Sequence, residues 1–132
     1  MSVPYVGQLT VFIPAVASAV TQTIIVGRAP YASTVSSVTY IPGGTAAPTS
    51  GQARTFTVYN RNNSTGAGTV SIAAKGITTA AGMTDNVAFD LTISATTASL
   101  IMTSGDVIEF ESALTGTVVD PGGRLILTYA RT

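Results

Sequence analysis

Short segments in which apolar and polar residues alternate run along the chain, and they restrict it to a β fold. The clearest is 87–94, where Phe89, Leu91 and Ile93 alternate with polar neighbours. A period of two residues is typical of a strand with one buried face, and no window holds the 3.6-residue apolar period of a helix. Thirteen glycines and six prolines interrupt the pattern at short intervals, as turns do. The pattern therefore predicts strands from end to end.

This pattern predicts eight strands joined by turns. They span residues 8–13, 21–28, 32–41, 54–60, 69–74, 87–94, 106–112 and 124–129. Residues 100–103 are a candidate further short strand, and residues 80–84 a candidate helical turn. We predict an all-β fold, an antiparallel, jelly-roll-like β-sandwich, because short strands at regular spacing indicate a sandwich or barrel. A chain of 132 residues suits one domain, here residues 8–132 preceded by a candidate extended arm at residues 1–7.

Two predicted strands depart from plain alternation. Ile24, Ile25 and Val26 are apolar on both faces, and Ile126 is apolar on a face that alternation would make polar. Such a position either lies under a neighbouring loop or contacts another subunit. Both interpretations stay open, although buried central strands often lose their alternation.

The low charge of the chain limits its partners. Charged residues make up 9 % of the chain, against about 25 % in ordinary soluble domains. The six basic residues are scattered and balanced by six acidic ones, so we predict no nucleic-acid binding. We also expect no membrane span and no secretory signal. Zero net charge promotes association, which indicates a surface that protein partners cover.

The residues that most enzymes use are missing. The chain has no histidine, which is the commonest general base, and no cysteine, which supplies the thiol nucleophile. Glu109 and Glu111 share one face of a predicted strand about 7 Å apart, a separation that a glycosidase pair can have. Without tryptophan or a facing carboxylate, the solvent face of a strand explains them better. We therefore predict that the chain is not an enzyme and binds no cofactor or metal.

Two other groups of polar side chains have a functional and a structural interpretation. Asp85, Asn86 and Asp90 offer oxygen ligands for calcium, but they lack the spacing of an EF-hand loop. A turn and an exposed strand face explain them. Tyr40 and Tyr129 share faces with aliphatic residues, which favours packing in the core or an interface over a sugar-stacking platform.

The C-terminal part of the chain carries a strand–turn–strand sequence. Residues 105–112 read GDVIEFES, and residues 120–125 read DPGGRL before a final apolar strand. This tail resembles the end of small β-sandwich proteins of tailed phages, in particular capsid decoration (head cement) proteins. The resemblance implies a virion structural protein on the outer capsid surface, made in the host cytoplasm. Its partner would be the major capsid protein lattice, and it would self-associate, with a trimer favoured.

The predicted arm gives the candidate contacts to a partner. These are Val3, Pro4, Tyr5 and Val6, and a frayed terminus is the other interpretation of residues 1–7. The alternative function is a carbohydrate- or receptor-binding β-sandwich module of a phage appendage. Its site would be formed by the loops at residues 42–51 and 61–68.

Overall fold

The computed structural model describes residues 5–17, 20–47, 53–63, 65–78, 81–114, 116 and 118–132. Within these residues there are nine strands, and a one-turn 3₁₀ helix, Thr97–Leu100, precedes the seventh of them. The strands are β1 (Val6–Ile13), β2 (Gln22–Arg28), β3 (Ser33–Pro42), β4 (Arg54–Asn60), β5 (Val70–Ile77), β6 (Phe89–Ile93), β7 (Ile101–Met102), β8 (Val107–Leu114) and β9 (Gly123–Arg131). No helix in the described part of the chain has the length and apolar character needed to cross a bilayer.

Each of the eight predicted strands is present, and the candidate strand at 100–103 is the short β7. The candidate helical turn at 80–84 is wrong where the structure describes it. Ala81 and Met83 form isolated antiparallel bridges, with Thr78 and Ala46 respectively. Met83 is a core residue, and its burial against Ala46 holds this segment extended. Ala80 lies outside the described residues.

The strands form one antiparallel sheet in the order β1-β9-β3-β6-β5-β4-β8-β2, with β7 paired to β3. The all-β class and the antiparallel sheet are thereby confirmed. Only two residue pairs join β5 to β6, so this pairing links two groups of four strands. At the other side, β1 and β2 are not paired, but Leu9 packs against Gly27, where an added Cβ would lie 3.4 Å from Leu9 Cδ2. The sheet is therefore nearly closed into a barrel.

Aromatic rings fill the middle of the core. Tyr40, Phe56 and Phe110 come from β3, β4 and β8, and all three are fully buried. The Tyr40 and Phe56 ring centroids are 5.2 Å apart, and the Phe56 and Phe110 rings stack at 5.7 Å. Tyr129 is also buried, so the prediction that Tyr40 and Tyr129 pack inside is confirmed. Burial of such large rings contributes strongly to the stability of a domain this small.

Arg54 closes the end of the barrel at which β1, β3, β5 and β8 finish, here called the Arg54 end. Its side chain is fully buried, at 0 % exposure. Nε donates to the Val118 carbonyl (2.9 Å), and Nη1 donates to the carbonyl (3.3 Å) and hydroxyl (2.8 Å) of Ser112. Nη2 donates to the carbonyls of Ala17 (3.2 Å) and Val20 (2.8 Å). All five N–H groups of the guanidinium have acceptors, which ties the β1–β2 and β8–β9 loops to β4.

Asp120 lies at the same end and is also buried. Tyr40 Oη (2.5 Å) and the Gly122 amide (3.0 Å) donate to its Oδ1, and Gln22 Nε2 donates to Oδ2 at 3.0 Å. Burial, and then the carboxylate of Asp120, raise the pKa of Tyr40 above its ordinary value of about 10. The Tyr40 hydroxyl therefore stays protonated and keeps donating to Asp120 in the folded state.

The opposite end, here called the Asp106 end, is held by a second buried carboxylate. Asn60 Nδ2 and the Thr103 amide each donate to Asp106 Oδ2 at 2.8 Å. The Asn60 side-chain oxygen in turn accepts the Asn62 amide at 2.9 Å. Asp120 at one end and Asp106 at the other are thus paired internally, as buried polar groups generally are. The buried Tyr31 Oη has no hydrogen-bond partner among the described residues.

The bond between Tyr40 and Asp120 makes a prediction about stability and pH. Near neutral pH, Tyr40→Phe should lower the free energy of unfolding by about 2 kcal/mol, because a buried hydrogen bond to a charged group is lost. Tyrosine in the unfolded chain releases its proton near pH 10, whereas folded Tyr40 keeps its proton to higher pH. The folded state therefore holds more protons above pH 10, and this contribution to wild-type stability falls by up to about 1.4 kcal/mol per pH unit.

Urea unfolding at pH 8 and at several values above pH 10 checks this. The stability gap between the wild type and Tyr40→Phe should be largest at pH 8 and narrow as pH rises above 10. A gap that stays constant over this range would show that the Tyr40 hydroxyl does not titrate differently in the two states.

Candidate interaction surface

The outward residues of β1, β9 and β3 form a continuous surface, here called the neutral face. Leu125, Leu127 and Tyr129 of β9 point into the core, so the alternate residues point outward. The register places these outward residues in four rows across the three strands: Phe12–Arg124–Ile41, Thr10–Ile126–Thr39, Gln8–Thr128–Ser37 and Val6–Ala130–Thr34. Arg124 is the one charged residue among them.

The middle of the neutral face is polar without being charged. Gln8 Nε2 donates to Thr128 Oγ1 at 3.3 Å, and Thr39 Oγ1 donates to Asp90 Oδ1 on the adjoining β6 at 2.7 Å. Two corners, both on β1, are apolar and open to solvent. Phe12 is 71 % exposed and Val6 is 60 % exposed. A surface of this composition can be covered by a protein partner without desolvating many charges.

The other outward surface, on β2, β8 and β4, carries the charges that the neutral face lacks. Glu109 and Glu111 lie on the same outward face of β8, as predicted, beside Tyr59 and Thr57 of β4. Arg61 Nη2 forms an ion pair with Glu109 Oε1 at 2.9 Å, and its guanidinium lies 4.2 Å from the centre of the Tyr59 ring. Glu109 is thus engaged in an ion pair on the outside of the sheet, and no carboxylate of a described residue faces it across a cleft.

Ile25 lies on this second surface, on β2, opposite Glu109. It is 55 % exposed, so none of the described loops covers it. Of the two interpretations of the apolar run in β2, burial under a loop is therefore excluded for Ile25 within the described structure. Val26, the next residue, is buried in the core.

The candidate calcium ligands lie in the turn before β6 and on β6 itself. Asp85 and Asn86 are exposed in the turn before β6, and Asn86 has the left-handed φ of 61° that suits a turn. Asp90 points outward from β6 and accepts the Thr39 hydroxyl. Among the described residues, no three acidic side chains are close enough to share a metal ion. The turn explains this segment.

The predicted arm overlaps the first strand. Val3 and Pro4 lie outside the described residues. The Tyr5 carbonyl accepts the Arg131 amide at 2.9 Å, and the Tyr5 ring packs edge-on against Tyr31 with 5.5 Å between centroids. β1 begins at Val6, two residues before the predicted start, so Val6 and Gly7 belong to the sheet.

The sequence did not predict the start of β1 at Val6, because Gly7 interrupts the alternating pattern. In the structure a Cβ on Gly7 would lie 2.6 Å from Tyr129 Oη and 2.7 Å from Cζ. The missing side chain lets the Tyr129 ring pack directly over β1. A strand glycine that makes room for a ring has the same sequence signature as a strand boundary.

The loops of the alternative site lie at opposite ends of the barrel. The loop that follows β3 at Pro42 is at the Arg54 end, and the loop that follows β4 at Asn60 is at the Asp106 end. The seven residues of β4 separate them, a length of about 23 Å. Residues 48–51 and 64 of these loops lie outside the described residues. Within the described residues, the two loops therefore lie at opposite ends of the barrel and do not line one shared binding site.

The sequence did not reveal that Arg54 is buried. Arg54 opens β4 and reads as an ordinary polar residue at a strand end, yet it is as buried as the core aromatics. Its acceptors come from three segments far from it in the chain. No local pattern signals such a contact.

Comparison of the chain with known proteins complements this geometry. No protein-family model, no curated protein and no solved structure matches the chain. A function for the chain therefore has to be inferred from its own residues and their arrangement.

Proposed function

We propose that the chain is a virion structural protein that binds the outer surface of a capsid and stabilises the head without catalysis. The neutral face is the observation that carries this proposal. Three adjacent strands present polar, uncharged side chains with a single arginine and exposed apolar corners at Phe12 and Val6. The cores of protein interfaces are depleted of charge in the same way. The resemblance of the C-terminal tail to phage decoration proteins supplies the kind of partner, the major capsid protein lattice.

We further infer that the sheet is a jelly-roll sandwich. With the short β7 set aside, β1, β9, β3 and β6 form one group of four strands, and β5, β4, β8 and β2 form the other. Successive strands cross from one group to the other at every connection except the one between β4 and β5. Jelly rolls are built from two such groups and occur in viral capsid and lectin domains. This strand order supports the architecture, although a fold alone does not choose between those functions.

Self-association is part of the proposal. Zero net charge favours association, and the resemblance favours a trimer on the capsid surface. The N-terminal residues Val3, Pro4, Tyr5 and Val6 are proposed to add contacts to neighbouring subunits. The Tyr5 ring and the Val6 side chain are both exposed, which is consistent with such contacts.

Charge placed on the neutral face should weaken capsid binding. Ser37 is exposed near the middle of this face, so Ser37→Lys should leave the fold intact while burying an unpaired ammonium in the interface. The matched control is Thr23→Lys, which places the same charge at an exposed position on β2, opposite Glu111. We expect at least about a tenfold loss of affinity for Ser37→Lys and little change for Thr23→Lys.

The measurement is co-sedimentation of each purified variant with capsids of the encoding virus assembled without this protein. Equal binding of both variants would contradict docking through the neutral face. Absence of wild-type binding, together with specific hits on a glycan array, would instead favour the carbohydrate- or receptor-binding module.

A further inference from the structure

β1 is an edge strand that lacks the charge, proline and bulge that usually protect such an edge, although Leu9 packs against Gly27 of β2 where the barrel nearly closes. β1 has eight residues, VGQLTVFI, with no charged residue and no proline. Its register with β9 is unbroken from Val6 to Ile13. Native edge strands are usually short, charged, bulged or interrupted by proline. The opposite edge, β2, has such protection, with a bulge between Ile25 and Gly27 and a terminal Arg28.

One hydrogen bond shows which residues of β1 offer free backbone groups. The Tyr5 carbonyl accepts the Arg131 amide, so Tyr5 and every second residue after it direct their peptide groups toward β9. The intervening residues therefore direct their N–H and C=O groups to the free edge. These residues are Val6, Gln8, Thr10 and Phe12. Among the described residues, β1 forms a ladder with β9 only.

An identical strand fits this edge in an antiparallel register centred on Leu9. In that register Val6 lies opposite Phe12 of the second copy, and Gln8 lies opposite Thr10. All four residues with free backbone groups then pair, giving about eight hydrogen bonds at two per hydrogen-bonded pair. Registers centred on Gln8 or Thr10 would give about six. The pairing also keeps outward side chains on the same face of both strands.

The side chains at this edge complement each other in the same register. Phe12 and Val6, the two exposed apolar residues of β1, would pack against each other at both ends of the contact. The Arg124 side chains of the two copies would be about 20 Å apart along the strands. This exceeds the Debye length of roughly 8 Å, so salt would largely screen their repulsion.

We propose that two copies of this chain associate through their β1 edges, antiparallel across a two-fold axis at Leu9, to form one continuous sheet. Such an isologous contact uses the same surface on both copies and is a form of strand addition. It goes beyond the virion role and does not depend on it. Because a two-fold contact joins copies in pairs, it is also separate from the contact that would close a trimer.

Engineered cysteines test the register directly, since the natural chain has none. Gln8 and Thr10 are both exposed, so Gln8→Cys and Thr10→Cys should fold. When the two variants are mixed, the paired positions have a Cα separation of about 5.5 Å, which suits a disulfide. In a dimer of either variant alone, the Cα atoms of the two cysteines would lie about 8 Å apart, which is too far for a disulfide.

Under mild oxidation of the full-length chain without capsids, the mixture should give a covalent dimer that contains one copy of each variant. Each variant alone should stay largely uncrosslinked. Self-crosslinking of a single variant as fast as the mixture would overturn the register centred on Leu9. Absence of any crosslinked dimer would overturn the pairing itself.

Sedimentation velocity of the cysteine-free chain gives a second readout. The wild type should form dimers as its concentration rises, and Phe12→Lys should weaken the dimer at least about tenfold. A wild type that is monomeric at every concentration would contradict the proposal, as would Phe12→Lys that dimerises like the wild type. Both measurements use the chain without capsids, so their failure would leave the virion role untouched.

Discussion

Replacing Gly123 with alanine is expected to prevent stable folding of the chain. Gly123 opens β9 with a φ of 149°, and a Cβ there would lie 2.1 Å from the Ile41 carbonyl oxygen and 2.9 Å from Pro42 Cα. Both atoms belong to the backbone of β3, so no side-chain rotation relieves the clash. β3 and β9 would have to separate where their ladder begins. We expect a loss of more than about 4 kcal/mol, within the range of the most damaging substitutions.

Two other glycines serve as controls, because they separate the steric clash from the loss of glycine itself. Gly43 has ordinary contacts, with the nearest atom 3.7 Å from an added Cβ. Gly66 has a left-handed φ of 66° but open space around it. Gly43→Ala should be nearly neutral, and Gly66→Ala should cost about 1 kcal/mol for the left-handed backbone alone.

Circular dichroism and chemical denaturation of the three variants measure these effects. Gly123→Ala should lack a cooperative unfolding transition, or show one at much lower denaturant concentration than the wild type. If Gly123→Ala is no more destabilised than Gly66→Ala, the close approach of β3 and β9 at this point is wrong.

Arg54→Met is expected to lower the free energy of unfolding by about 3–5 kcal/mol, the range seen when a buried charged group is removed from its partners. Methionine fills much of the same space, so the effect reports mainly on the hydrogen bonds. The lost acceptors are carbonyls and a hydroxyl from the β1–β2 loop, the β8–β9 loop and β8. Burial lowers the pKa of Arg54, and Asp120 partly offsets this. Removing the guanidinium also leaves the Asp120 carboxylate buried without that nearby positive charge.

Arg28→Met is the matched control, because Arg28 is exposed and donates one hydrogen bond, from Nε to the Gly105 carbonyl at 3.1 Å. Its replacement should change stability by less than about 1 kcal/mol. Urea unfolding of both variants gives the comparison, and limited proteolysis should show faster cleavage of the β1–β2 loop in Arg54→Met. Equal stability of the two variants would show that Arg54 does not hold the Arg54 end together.

The local pattern was sufficient to predict that each strand exists and, where apolar and polar residues alternate, which of its faces is buried. Alternation placed Phe89, Leu91 and Ile93 on one face of β6, and the structure directs all three toward the core. The pattern did not predict that β1 begins at Val6, because Gly7 interrupts the alternation. Glycine is needed there because the Tyr129 ring packs where a side chain would lie. Strand limits fail where the constraint on a residue comes from a distant segment.

The candidate surface was predictable in composition but not in location. Low charge was evident from the residue counts, and it indicated a surface that partners cover. The neutral face exists because β9 lies between β1 and β3 in the sheet. That order brings Phe12 beside Arg124 and gathers the carboxylates of β8 onto the other surface.

The sequence by itself determined that this protein is all-β, where its strands run and which side chains can point inward, because each of these follows from neighbours within a few residues. The tertiary structure alone decided the order of the strands, the near closure of the barrel, the open edge of β1 and the burial of Arg54 and Asp120. These depend on contacts such as Arg54 with Val118 and Tyr40 with Asp120. Their partners are far apart in the chain, and only the packing of the whole sheet brings them together.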